Sequence, residues 1–506
     1  MFMGLGMPIP DLSNKPGPGR PGWGPIGSYD FQLEVTGAVT IKANAYAAGD
    51  FRVSWPNGTT QVLSGNNASI AAPDGTAGII SINNEELDTT YMDEFAIVSG
   101  QANVSKVISW GNNAWGNMSQ AFNGCTSLSD ISTTKFIASG GANIVKMFNG
   151  CTSLLEADIR NWDLSAGVNW YGGSPFSGLV NLEKLDMTGL NIKLTQRSDN
   201  AFASIGSATT NGCEFLMSNI NWSTSTSTYT VYWFTSAKFK NGSNLSGWNF
   251  PSAGWAGTGM FNSASIIGNN AVLDLSGWTT YSGTLFPSFS SFNDTLGNTG
   301  AKIDMSNINL SNVTSMSNSF YYTDISEIIG LNTWGATAGN VDMFRTFFGS
   351  DHLNFSDTNN FSNTFIASLT PTNFNQTFHG VAGAAPNGKA PNITNIDLSG
   401  TTSLSQTFSG AKFTNVPDLA SATFSSSPTS FNQTFTSFIA SDANSHLDFS
   451  NTTFKPSTFS STFSGAYIDN ITFGSNVDFS SLTNVTNMFY YMNNGQAVDV
   501  KFPTNA

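Results

Sequence analysis

From about Ser109 to the end, the apolar positions of this chain fall into two recurring phrases. One is five residues long, with a large apolar residue first and phenylalanine last: "MSQAF" ending at Phe122, "IVKMF" at Phe148, "MSNSF" at Phe320, "FNQTF" at Phe378 and Phe435, "LSQTF" at Phe408, "FSSTF" at Phe463 and "VTNMF" at Phe489. An apolar pair at i and i+4 predicts one turn of helix, stopped by the Gly or Ser that tends to follow. The other phrase sets apolar residues around Asp or Asn: "LDMTGL" at Leu185, "LDLSGW" at Leu273, "IDMSNI" at Ile303, "LNFSDT" at Leu353, "IDLSG" at Ile396, "LDFSNT" at Leu447 and "VDFSSL" at Val477. That alternation predicts a short strand with its apolar side inward. Weaker phenylalanine phrases at Phe176, Phe202, Phe234, Phe261, Phe289 and Phe347 complete a series. Its mean spacing of about 28 residues predicts a solenoid of about 14 coils. Neither element buries its apolar side alone, so the coils must stack, with strands pairing in parallel.

Ahead of this array the pattern differs. Residues 28–108 contain "YDFQLEV", "VTIKANAY", "FRVSWPNGTTQVL", "GTAGIISIN" and "EFAIVSG", alternating runs separated by Gly, Asn and Asp, which predict a small β-sandwich. The run "FRVSWPNGTTQVLSG" is similar to the strand-turn-strand of PKD-like Ig modules, although Pro56 and Asn57 stand where an acidic residue is expected. Residues 1–27 carry Pro8, Pro10, Pro16, Pro18, Pro21 and Pro25 among glycines, too many for a helix or a central strand. With Phe2, Met3, Leu5, Met7 and Ile9 at its front, this arm reads either as an extended anchor that docks on another chain or as a disordered tail.

Composition narrows the classes. Only 10% of residues are charged, against roughly 25% in an average soluble protein, and 40% are hydrophobic, which excludes a disordered chain. A net charge of -14 argues against nucleic acid as partner. Three cysteines make no disulfide framework or zinc spacing, and no metal or cofactor is expected. Cys125 and Cys151 occupy the same place in the repeated "FNGCTSL", where a disulfide and a pair of small buried thiols are the alternatives, the second preferred. The first residues lack the apolar run of a secretory signal and no run is long enough to span a membrane, so the expectation is synthesis and retention in the cytoplasm.

The phrases "MSQAFNGCTSL", "IVKMFNGCTSLLEADI" and "NVTNMFYYM", followed by "LDLS"-type strands, resemble the BspA-like, Treponema-type leucine-rich repeats of bacterial surface proteins over about residues 110–505. The resemblance implies a leucine-rich-repeat solenoid at residues 109–506 and an adhesive role toward protein or glycan, with no catalytic residues to transfer. The expected fold is thus mainly β with short helical turns. An apolar arm, a small β-domain and a long neutral-polar array also resemble the layout of tailed-phage fibre or decoration proteins. That layout implies a virion protein assembled in the host cytoplasm, joined through its arm to capsid, portal or tail proteins and self-associating. The alternative is a bacterial cell-surface adhesin; a glycan-cleaving spike comes third.

Candidate chemistry is sparse. His352, His379 and His446 are the only histidines, and His352 and His446 recur in "HLNFS" and "HLDFS", a repeat position more than a catalytic one. One carboxylate per coil (Asp186, Asp274, Asp304, Asp397, Asp448, Asp478) reads as a structural or solvated row rather than the paired acids of a glycosidase; calcium on it stays open. Aromatics are the ligand-binding candidates: the pairs Tyr321, Tyr322 and Tyr490, Tyr491, with Trp248 and Trp278 after "LSG". Exposed rings stack on sugars; the competing reading, favoured for the tryptophans, is packing at the solenoid corners.

Overall fold

The computed structural model describes residues 30–45, 51–63, 69–84, 91–222, 224–226, 230–250, 258–278, 293–294, 300–337, 339–381 and 388–503. The arm residues Phe2, Met3, Leu5, Met7 and Ile9, and Phe289, lie outside them.

The alternation in "YDFQLEV" becomes the strand Phe31–Val35, with Phe31, Leu33 and Val35 turned inward. It pairs antiparallel with Gly78–Asn84 on one side and Val104–Trp110 on the other. A second sheet pairs Thr40–Ala45 antiparallel with Tyr91–Ser99. The two sheets meet through Phe31 and Phe95, whose ring centres are 4.9 Å apart. Each sheet then runs on into the coils: Asp130–Ile131 adds in parallel to Val104–Trp110, and Ala114–Asn117 adds in parallel to Tyr91–Ser99. The boundary expected at residue 108 therefore falls inside a strand shared by both regions.

Beyond that point the chain is a β-solenoid of about 14 turns, mainly β and only 5% helix. A coil has three sides. In one of them the sides are Lys184–Asp186, then Ile192–Leu194, then a turned segment around Phe202. The expected strands at Leu185, Leu273, Ile303, Ile396 and Leu447 form, with those side chains buried, and stack in register: Glu156 on Lys184 on Glu214, Ala157 on Leu185 on Phe215. At Val477 a 3-10 turn, Phe479–Ser481, replaces most of the expected strand.

The phenylalanine phrase is not a helical turn, which corrects the expectation from its i, i+4 spacing. In the first copy Ala121 N–H donates to Met118 O, Asn123 to Gln120 O and Cys125 to Phe122 O, each across three residues. Gln120 (φ 55°) and Gly124 (φ 75°), two residues before and two after Phe122, are left-handed. The same two places are left-handed in other coils, including Arg345 and Gly349, Gln376 and Gly380, and Gln406 and Gly410. Such an alternation turns every second peptide the same way. The N–H groups of Met118, Gln120, Phe122 and Gly124 all donate forward to the carbonyls of Asn143, Val145, Met147 and Asn149 in the next coil. Coil after coil repeats this direction, through Gln406 to Asn432 and Phe408 to Thr434, up to Gly465 to Tyr490. In an ordinary parallel ladder donors and acceptors of one strand point both ways; here the turned side donates only toward the C terminus. At its N-terminal end Ile97 N–H donates to Ala121 O at 2.9 Å, so the strand Tyr91–Ser99 supplies a donor to the first row of carbonyls.

Inside this ladder the phenylalanines stack. Phe320, Phe347, Phe378, Phe408, Phe435, Phe463 and Phe489 form one column with ring centres 5.2, 5.4, 5.4, 5.3, 5.7 and 5.6 Å apart and planes within 11° of parallel. The spacing exceeds the strand repeat of about 4.8 Å, consistent with rings that slide off centre to avoid a face-to-face sandwich. A buried threonine precedes five of these seven rings and ties the coils again, as Thr377 Oγ1 does to Met343 O (2.9 Å) and Thr434 Oγ1 to Leu404 O (2.8 Å).

Candidate binding surface

The corners of the coils are held by short polar side chains. Asp186, Asp274, Asp304, Asp397, Asp448 and Asp478 each accept, through Oδ1, the N–H two residues on, at 3.1, 2.9, 2.9, 3.0, 2.7 and 2.8 Å. An aspartate used this way turns the chain and satisfies a backbone donor. The row is therefore a set of corner turns, and among the described residues no three of His, Cys, Asp and Glu gather as for a metal ion. Cys125, Cys151 and Cys213 are buried free thiols; burial pushes Cys125 up to about 12, far from a reactive thiolate. His446 Nε2 bonds Thr472 Oγ1 at 2.9 Å, and His352 Nδ1 meets the Asp324 carboxylate.

Trp248 and Trp278 are not on the surface, which corrects their candidacy as sugar-stacking residues. Both are fully buried, 5.3 Å apart and parallel within 6°, and each indole N–H donates to a carbonyl of the preceding coil, Met217 O at 2.6 Å and Leu245 O at 2.8 Å. A buried indole needs such an acceptor, and the coil corner provides one.

The tyrosines are placed differently. Tyr322, Tyr490 and Tyr491 are 52%, 65% and 63% exposed, while Tyr321 is half-buried. Tyr322 and Tyr491 fall two residues after their phenylalanines, at φ 50° and 58°, where Gly124, Gly150, Gly349, Gly380, Gly410 and Gly465 sit in other coils. A left-handed backbone at a bulky residue costs about 1–2 kcal/mol relative to the right-handed one. The neighbouring coil makes room: a side chain at Gly349 would meet the Tyr322 ring at 2.6 Å. Tyr232, 42% exposed at φ 57°, takes the other left-handed place, two residues before Phe234, and likewise lies over the glycine at that place in the next coil, Gly259.

Around Tyr322 the aromatics make a strip across three coils. Tyr321 stacks on Phe348 (5.3 Å, 22°), Phe348 stacks on His379 (4.5 Å, 10°), and Tyr322 meets Phe348 edge-on at 5.4 Å. Burial pushes the His379 imidazole down, so it stacks as a neutral ring. Beside the strip Arg345 reaches Gln376, which bonds Gln406, which bonds Gln433 at 2.7 Å. Phe348 and Arg345 went unnoticed in the sequence, and His379 stands out there only as one of three histidines, yet aligning the coils on Phe320, Phe347 and Phe378 puts Tyr321, Phe348 and His379 in one column. The second pair, Tyr490 and Tyr491, lies on the same side six stacking steps away, roughly 30 Å at the strand repeat.

No protein-family model, no curated protein and no solved structure matches this chain. The likeness to BspA-like repeats thus rests on the quoted phrases alone. Among the described residues, no helix is long and apolar enough to cross a membrane.

Proposed function

We propose that this chain is a structural protein of a phage particle, a fibre or head decoration, that also holds the particle against host-surface glycan. The binding role is carried by one observation: exposed tyrosines kept at left-handed positions that other coils fill with glycine or serine. Strain retained at exposed aromatic residues is what a stacking platform requires. The rest of the reading rests on layout. The arm, through Phe2, Met3, Leu5, Met7 and Ile9, joins the chain to capsid, portal or tail proteins or to a sister subunit; residues 28–108 act as an Ig/PKD-like sandwich; and the coils are diverged leucine-rich-repeat units. Its work is architectural and adhesive, not catalytic, with the virion as its place. The phrases shared with BspA-like repeats favour a second reading, a bacterial surface adhesin.

The test compares host-cell and extracted-glycan binding by the assembled protein and by a Tyr322→Gly, Tyr491→Gly variant. Glycine relieves the left-handed strain, so the variant is expected to melt no lower than the wild type while losing most glycan binding. Undiminished binding by that variant overturns the tyrosine surface as the adhesive site.

A further inference from the structure

We infer that the surface around Phe348 selects saccharides that carry a carboxylate, and that Arg345 reads that group; this deepens the binding role proposed above and depends on it. The Arg345 guanidinium is held from three sides. Its carbon lies 4.8 Å from the centre of the Phe344 ring and 5.3 Å from that of Phe348, and its Nε donates to Gln376 Oε1. With Nε used, the two terminal nitrogens remain as a fork, and among the described residues no carboxylate pairs with them. Arg160 and Arg197, in contrast, rest on Asp158, Asp186 and Asp199.

A guanidinium held in place by two rings and an amide, with no carboxylate on its fork, is a matched receptor for an incoming planar anion despite the net negative charge of the chain. Tyr321 and Tyr322 meet the same Phe348 ring that Arg345 covers, so a sugar ring stacked on the tyrosines brings its substituents toward the fork. A uronic acid supplies both parts, a ring for the aromatic strip and a carboxylate for the two parallel N–H bonds. A neutral sugar leaves the fork facing water.

The experiment titrates the full chain with a galacturonate hexamer and with a neutral galactan hexamer, at low and raised salt. The acidic oligomer is expected to bind roughly tenfold tighter or more, the worth of a charge-assisted hydrogen bond, and to lose that advantage in salt. Arg345→Gln should erase the difference between the two hexamers; Arg345→Lys, which keeps charge but not the fork, should restore part of it. Melting curves of both variants control for folding. Equal affinity for the two hexamers, or full acidic preference in Arg345→Gln, overturns the inference and leaves the adhesive role standing. Failure of wild type to bind either hexamer overturns this inference, and the host-cell and extracted-glycan comparison then decides the adhesive role by itself.

Discussion

At the scale of single residues, stacking in register places each side chain beside its counterparts in neighbouring coils, so every charge meets the same column. Glu156, Lys184 and Glu214 alternate favourably, but Asp158 sits directly beside Asp186. Arg160 resolves the conflict by contacting both, Asp158 at 2.7 Å and Asp186 at 3.3 Å. The Arg160 side-chain hydrogen bond holds the Asp158 carboxyl below its usual range. Its folded value lies below its unfolded one, so the pair stabilises the fold above the ordinary carboxylate pKa of about 4 and loses that contribution as pH falls through the folded value. Melting of Asp158→Asn should therefore lie below wild type at pH 7, with the gap closing in acid; a gap independent of pH would show that the pair is not the source. The tyrosines obey a different logic. Their identity was legible in the sequence, whereas the φ that makes them unusual was not, because only the coil geometry reveals that Tyr322 and Tyr491 share a place with Gly124 and Gly150. For the tryptophans the favoured reading, packing at the corners, matches their burial, although "LSGW" itself gives no sign of which way an indole turns after a corner.

At the scale of the element, the period of the phenylalanine phrase was legible and its conformation was not. "MSQAF" satisfies the i, i+4 rule, and the residue two before phenylalanine is often Gln, Lys or Arg, none of which favours a left-handed backbone by itself. Ladder bonds to the coils on either side impose that conformation, which is context overriding propensity. The aromatic column shows where the cohesion lies. Phe435 is fully buried between Phe408 and Phe463 and also meets Phe438 edge-on at 5.5 Å. Phe435→Ala removes the ring from two stacks at once and should cost about 3–5 kcal/mol, read as a lower denaturation midpoint of the solenoid. A loss under about 1 kcal/mol would mean that the column collapses around the gap, contrary to a close-packed core.

At the scale of the whole molecule, contacts run between neighbouring coils, so the solenoid is a one-dimensional stack whose stability sums over adjacent pairs. Residues 404–430 span one full turn, from Leu404 to the residue before its equivalent, Phe431. Excising them should leave a single cooperative melt and a rod shorter by about 4.8 Å. Removing 404–417 alone breaks the phase and should abolish cooperative folding; the two deletions are compared by circular dichroism and small-angle scattering. The one-way hydrogen-bond ladder then constrains how such a protein can change over generations. Whole turns slot in or drop out wherever donors still face acceptors, so length is free to drift in units. A turn read in the opposite sense would set donors against donors and can never be accommodated. The duplicated "FNGCTSL" is the mark of that grammar: the molecule can stutter, but it cannot reverse.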